Sequence, residues 1–193
     1  MAAELLPEEL VHDVLRYCIL ASPDTFLDPA NDRSSFLQPE APPSPLGRTP
    51  VLLVSKRWRR IATPLLFTSL WLSESAHTRT VARLFQENPH LGKCVLDLRL
   101  EGGYDDELCE LVKHTPNAKN VFLSWNIGPV DELSGLLTAL PSLSPESLYL
   151  GYQRYSGIYR WRSDELVALL EECIAQKWPS LVRRPPSPQA QPR

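Results

Sequence analysis

One plan occurs three times in the second half of the chain, and it narrows the available folds more than any other feature. Leu96-Asp97-Leu98-Arg99-Leu100 is followed by Asp106-Glu107-Leu108-Cys109-Glu110-Leu111-Val112. Val121-Phe122-Leu123 is followed by Asp131-Glu132-Leu133-Ser134-Gly135-Leu136-Leu137, and Leu148-Tyr149-Leu150 by Asp164-Glu165-Leu166-Val167-Ala168-Leu169-Leu170. Alternating Leu-x-Leu reads as a short strand with one buried face. Asp-Glu opening an apolar run reads as a helix start, where negative charge meets the positive end of the helix dipole. Leu98 to Leu123 is 25 residues and Leu123 to Leu150 is 27. The helix start follows its strand after 8, 8 and 14 residues, so the third unit carries a six-residue insertion. A strand plus a helix in this length cannot bury its apolar face alone and must stack on its neighbours.

That period is the one leucine-rich repeats use, although the Asn/Cys ladder position of regular repeats is not evident. The second half is therefore predicted to be a short, irregular, leucine-rich-repeat-like α/β solenoid. Ser75 to Asn88 reads as a helix leading into it, with Val81, Leu84 and Phe85 inward. Pro89, Pro116, Pro141 and Pro179 each stand just before an expected strand. After Trp178-Pro179-Ser180-Leu181, however, the chain turns into Arg183-Arg184-Pro185-Pro186-Ser187-Pro188. A further strand is announced and not delivered, which leaves the last edge of the array uncapped.

The first half is helical. Leu6-Pro7-Glu8-Glu9-Leu10 opens a helix, with proline at the first position and two carboxylates at the dipole's positive end. Leu10, Val11, Val14, Leu15, Cys18 and Ile19 recur at helical spacing, and Ser22-Pro23 stops the run. Periodicity then fails to Pro50, with Phe26, Leu27, Phe36 and Leu37 as isolated anchors; so long a loop is functional or disordered. A second helix is expected from Val51, with Leu52, Leu53, Val54, Trp58, Ile61 and Ala62 on its apolar side. Thr63 is expected to cap a third, opened by Pro64 and anchored by Leu65, Leu66, Phe67 and Leu70.

Composition removes several classes of function. Net charge is −3, so a general binder of nucleic acid or of an anionic membrane is not expected. Lys56, Arg57, Arg59 and Arg60 form a basic cluster, but the first fifty residues carry eight acidic side chains against three arginines. Pairing within the domain, or with an acidic protein, accounts for the cluster. Cys18, Cys94, Cys109 and Cys173 lie 76, 15 and 64 residues apart, form no CxxC pair and sit in apolar patterns. They are expected to be buried, reduced thiols rather than a disulfide or zinc framework. No apolar run is long enough to cross a membrane, so the expectation is a soluble cytoplasmic or nuclear protein. Of the 19 prolines, those after residue 183 mark a disordered tail, 183–193.

No catalytic constellation, metal site or cofactor site is expected. His12, His77, His90 and His114 are scattered, and Gly102-Gly103 reads as a turn rather than a phosphate cradle. Ser134-Gly135 lacks the glycines of a nucleophile elbow, which leaves a small hydrolase as a remote reading. The aromatic residues are more informative. Tyr149, Tyr152, Tyr155, Tyr159 and Trp161 cluster with Arg154, Arg160 and Arg162 around the insertion of the third unit, and Trp125 extends the same region. Rigid aromatics beside arginine are the material of binding hot spots, so these residues are candidate substrate contacts; the competing reading is that they cover the solenoid end.

Leu6-Pro7-x-x-Leu10 with Val14 and Leu15, a gap, and then Leu52-Leu53-Val54-Ser55-Lys56-Arg57-Trp58 with Arg60-Ile61-Ala62 resembles an F-box. The spacer Phe26-Leu27-Asp28, the phrase Ile61-Ala62-Thr63-Pro64-Leu65-Leu66-Phe67 and the later Leu98-x-Leu100-Glu101-Gly102-Gly103-Tyr104 are similar to fungal F-box proteins of the basidiomycete type. The resemblance spans about residues 5 to 150; its loop between the first two helices is much longer than in the general family. It implies an α+β chain: an F-box over 5–72 with an inserted loop 22–50, then a linker helix and repeats over 73–182. It also implies an adaptor of a cullin-based ubiquitin ligase of the SCF type, without chemistry of its own. Leu6, Pro7, Leu10, Val14, Leu15, Leu53, Val54, Trp58 and Ile61 would meet a Skp-family linker subunit and, through it, a cullin, while the repeats hold a protein substrate. A scaffold that uses the same helices for assembly outside ubiquitin transfer would have the same sequence features.

Overall fold

Two separate apolar clusters organise the chain, one made by helices alone and one by helices against a sheet. The computed structural model describes residues 6–28, 50–125, 127, 132–151 and 160–182, and of Asp24 and residues 160–163 only the backbone. The helical unit holds α1 (Glu8–Ile19), α2 (Pro23–Phe26) and α3 (Lys56–Leu66). The second unit runs β1 (Ser69–Leu72), α4 (Ser75–Glu87), α5 (Pro89–Gly92), β2 (Asp97–Leu100), α6 (Asp106–Lys113), β3 (Asn120–Ser124), α7 (Ser134–Ala139), β4 (Ser147–Gly151) and α8 (Arg160–Glu172). The expected mixture of helix and sheet is present. Among the described residues no helix is long and apolar enough to cross a membrane.

In the helical unit, Val11, Leu15 and Ile19 of α1 close on Ile61, Ala62 and Leu65 of α3. Residues at i, i+4 and i+8 share one stripe of a helix, which is why these three are buried together. Two expectations are corrected here. The second helix starts at Lys56 rather than Val51, because the Ser55 hydroxyl accepts the Trp58 N–H at 3.1 Å and caps it; residues 50–53 form a 3₁₀ turn. The third helix does not form: α3 runs through Thr63 and Pro64 to Leu66, with the Thr63 hydroxyl donating to the Arg59 carbonyl at 2.7 Å. Pro64 removes one hydrogen bond only two residues before the helix ends, and Leu65 keeps the last turn packed.

Leu70, expected in that third helix, lies in β1. The sheet therefore begins inside the segment assigned to the helical unit, four residues ahead of the boundary at 73. Its strands follow in the order β1-β2-β3-β4, all parallel. Right-handed crossovers that always step the same way place every connection on one face. Accordingly α4 packs on α6, and α6 on α7. Leu70 pairs with Leu98, Val121 and Leu148, and Leu72 with Leu100, Leu123 and Leu150; in both rows the residues of β1, β2 and β3 are buried against the helices, whereas on β4 Leu148 is half-buried and Leu150 is exposed.

The helices begin near where the Asp-Glu pairs predicted. Asp106 opens α6, α7 starts at Ser134, and α8 starts at Arg160, four residues ahead of Asp164. Gly103 takes φ +67 in the turn between β2 and α6, a conformation that favours glycine, and a Cβ there would meet Thr78 and Glu74. Gly135 lies where α7 crosses the start of α6; a Cβ would run into the Asp105 carbonyl.

Main-chain bonds repeat at the foot of each strand. Leu96 N–H donates to the Thr68 carbonyl at 2.8 Å, Lys119 to Leu96 at 2.8 Å and Glu146 to Lys119 at 2.7 Å. Val182 then donates to the Glu146 carbonyl at 2.9 Å. The same bond thus recurs once after β4, while the sheet among the described residues has four strands. Residues 183–193, expected to be a disordered tail, lie outside the described residues, as does most of the 22–50 loop.

Candidate functional site

Helix α1 has more apolar surface than α3 can cover. Its buried stripe is Val11, Leu15 and Ile19; a second stripe, Leu10, Val14, Tyr17 and Cys18, faces solvent. Leu10 and Val14 are each 51% exposed, and Leu53 and Val54 are 79% and 58% exposed. Leu6 and Pro7 are exposed as well. Arg57 donates to the Leu6 carbonyl, which ties the start of α1 to the first turn of α3, just after Val54. Six of the nine residues assigned to a linker subunit therefore point outward from neighbouring parts of one small unit.

The other three stand behind that face. Leu15 is fully buried and Ile61 nearly so, because both lie on the stripes that join α1 to α3. Trp58 is half-buried against the same core. The expectation that these residues lie on the face is corrected for Leu15 and Ile61: they build it without being part of it.

Charge frames the unit. Glu8, on the first turn of α1, pairs with Arg60 and lies 3.9 Å from Arg57, so the basic cluster is partly neutralised from within the domain. Arg59 Nε donates to the Leu52 carbonyl at 3.3 Å. The charged side of α1 borders an open groove of about 580 Å³, where Glu8, Glu9, His12 and Asp13 face Arg60, Ile61, Pro64 and Leu65. Among the described residues no three His, Cys, Asp or Glu side chains converge as a metal site would require. Cys18 corrects the expectation of buried thiols, since it lies on the outer stripe of α1; Cys94 and Cys109 are half-buried and only Cys173 is enclosed. Burial pushes the Cys173 thiol above its ordinary value.

The sheet's second face, away from the helices, carries a row that the sequence did not reveal. Trp71, Arg99, Phe122 and Tyr149 are register partners on successive strands. The Arg99 guanidinium lies 3.8 Å above the Phe122 ring, and its Nε donates to Glu101 Oε1 at 2.5 Å. Trp71 Nε1 donates to Glu101 Oε2 at 3.0 Å. One position along, Ser69 and Asn120 both donate to the Asp97 carboxylate, at 2.9 and 2.8 Å. The only sequence signal was the pair Arg99 and Glu101, opposite charges two apart in a strand and hence on one face.

That face is not empty. Arg99 Nη1 donates to the main-chain carbonyls of Phe26 and of Asp28, the latter at 3.1 Å, so the end of α2 and the residues after it lie against β2 on this face. Of the aromatic candidates, Tyr149 belongs to this face, whereas Trp125 packs against the helical side of the sheet. The structure does not bring these two together, because Trp125 has the parity of Val121 and Leu123. Tyr152, Tyr155 and Tyr159 lie outside the described residues, and so does the side chain of Trp161.

No protein-family model, curated protein or solved structure matches this chain. Its function rests on its own surfaces.

Proposed function

We propose that this chain is a non-catalytic adaptor. Its helical unit serves as an F-box that docks on a Skp-family linker subunit and thereby reaches a cullin. Its sheet-and-helix unit serves as a leucine-rich-repeat-like holder of a protein marked for ubiquitin transfer. One observation carries the reading: Leu6, Leu10, Val14, Leu53 and Val54 present large apolar side chains to solvent from a unit whose own core is already filled by Val11, Leu15, Ile19, Ile61, Ala62 and Leu65. Large exposed apolar side chains gathered on so small a unit are costly in a monomer and mark a place for another protein. The residues concerned are those that the F-box resemblance assigns to the linker subunit.

The test is the affinity of the full chain for a purified Skp-family subunit, with Leu10→Asp and Val54→Asp as variants. Both positions are exposed, so each variant should keep its melting temperature and lose binding by at least tenfold. A wild type that folds and shows no affinity overturns the reading. Binding of the subunit without recruitment of a cullin favours the scaffold instead.

A further inference from the structure

The Phe26–Asp28 segment holds the sheet's second face in an unusual way. Its contacts to Arg99 are made by main-chain carbonyls, which any peptide could supply. Leu27 is almost fully buried, and among the described residues it is grouped with neither apolar cluster. Arg99 is 4% exposed, and its Nη2 is left without a hydrogen-bond partner. A buried guanidinium with an idle donor is incompletely satisfied, and the group that would satisfy it best is a carboxylate. Along the same row Tyr149 on β4 is only half-buried. The resident segment is in effect a ligand with one contact missing.

We propose that the second face of the sheet is a peptide-binding face, closed in this chain by its own Phe26–Asp28 segment. Its external ligand is a peptide with an apolar side chain for the Leu27 position and a carboxylate within reach of Arg99 Nη2. Binding exchanges one peptide for another: the incoming carbonyls and carboxylate take over the fork of Arg99, Glu101 stays paired with Nε, and the resident segment swings away with α2. Because α2 is a single turn and none of its residues belongs to either apolar cluster, its release leaves both clusters intact. The face would be the target-holding half of the adaptor reading and takes its biological meaning from it. Its test does not involve the linker subunit, so the two can fail separately.

The probe is a fluorescent synthetic peptide with the sequence of residues 22–28, Ser-Pro-Asp-Thr-Phe-Leu-Asp, ending in a free carboxylate. Binding is read by fluorescence anisotropy against the full chain. The wild type should bind weakly, because its own segment competes at high effective concentration. Leu27→Asp removes the resident anchor and should tighten binding of the peptide at least tenfold. Adding Arg99→Lys, which keeps a cation beside Glu101 but loses the planar fork, should abolish that gain, and amidating the peptide should weaken it. If Leu27→Asp does not fold, Leu27→Ala is read by the same criteria. No gain on releasing the segment, or a gain indifferent to Arg99→Lys, overturns the proposal.

Discussion

Arg60 on α3 is ion-paired with Glu8 on the first turn of α1, and this pair lies on the same side of α1 as Leu15 and Ile19. The buried contact of Val11, Leu15 and Ile19 with Ile61, Ala62 and Leu65 decides which stripe of α1 meets α3, and the exposed ion pair borders it. Leu10 and Leu15 are one and a half turns apart on the same helix, yet one is 51% exposed and the other 0%. Their substitutions should separate cleanly. Leu15→Ala leaves a cavity between α1 and α3 and is expected to cost about 2–5 kcal/mol. Leu10→Ala should change stability by no more than about 0.5 kcal/mol. Thermal unfolding of both variants decides it, and equal losses would mean that α1 is turned otherwise.

Gly135 tests the packing of the repeated helices. A methyl group there collides with main chain, the Asp105 carbonyl, rather than with a side chain that can turn aside. Although alanine is the better helix former, Gly135→Ala should lower the melting temperature, by an amount equivalent to about 1–3 kcal/mol. A stabilised variant would place α7 farther from α6 than described.

The four thiols should react in the order of their exposure. Cys18 is outermost, Cys94 and Cys109 follow, and Cys173 is enclosed with its pKa raised by burial. Iodoacetamide labelling followed by mass spectrometry should mark Cys18 first and Cys173 only on unfolding. Because the folded thiol at Cys173 resists ionisation more than the unfolded one, its contribution is present below the ordinary thiol pKa and is lost as pH rises past it.

Arg79 on α4 and Glu107 on α6 join neighbouring units at 2.6 Å, and the hydrogen bond from Arg79 holds the Glu107 carboxyl below its usual range. A depressed carboxylate stabilises the fold above its unfolded pKa and loses that effect as pH falls through the folded value. Glu107→Gln should therefore lower stability slightly at neutral pH, the loss being small because the pair is solvent-exposed, and converge on the wild type as pH falls, which makes the acid limb shallower. A variant with an unaltered acid limb would show that the pair does not persist in solution.

What was legible in the sequence was what local periodicity encodes. Leu-x-Leu followed by Asp-Glu located β2, β3 and β4 and the neighbourhood of their helices, because strand alternation and helix starts are properties of a few adjacent residues. The same rule applied to Ser69-Leu70-Trp71-Leu72 would have found β1, but the segment followed Pro64 closely enough to read as more helix. The outward stripe of α1 was only half legible: its apolar residues were countable, but nothing local tells Leu10 from Leu15.

The sequence by itself determined the alternation of strand and helix from β2 onward, the faces along which leucines line up, and the apolar surplus of the first helix. Only the tertiary structure decided which part of that surplus stays in water, since this depends on which stripe of α1 meets Ile61, Ala62 and Leu65 of α3, more than forty residues away in sequence. It alone also brought Arg99 to the carbonyls of Phe26 and Asp28, over seventy residues away. A guanidinium reads no sequence in such contacts. It answers to wherever folding leaves an unpaired carbonyl, and pattern along the chain carries no record of that.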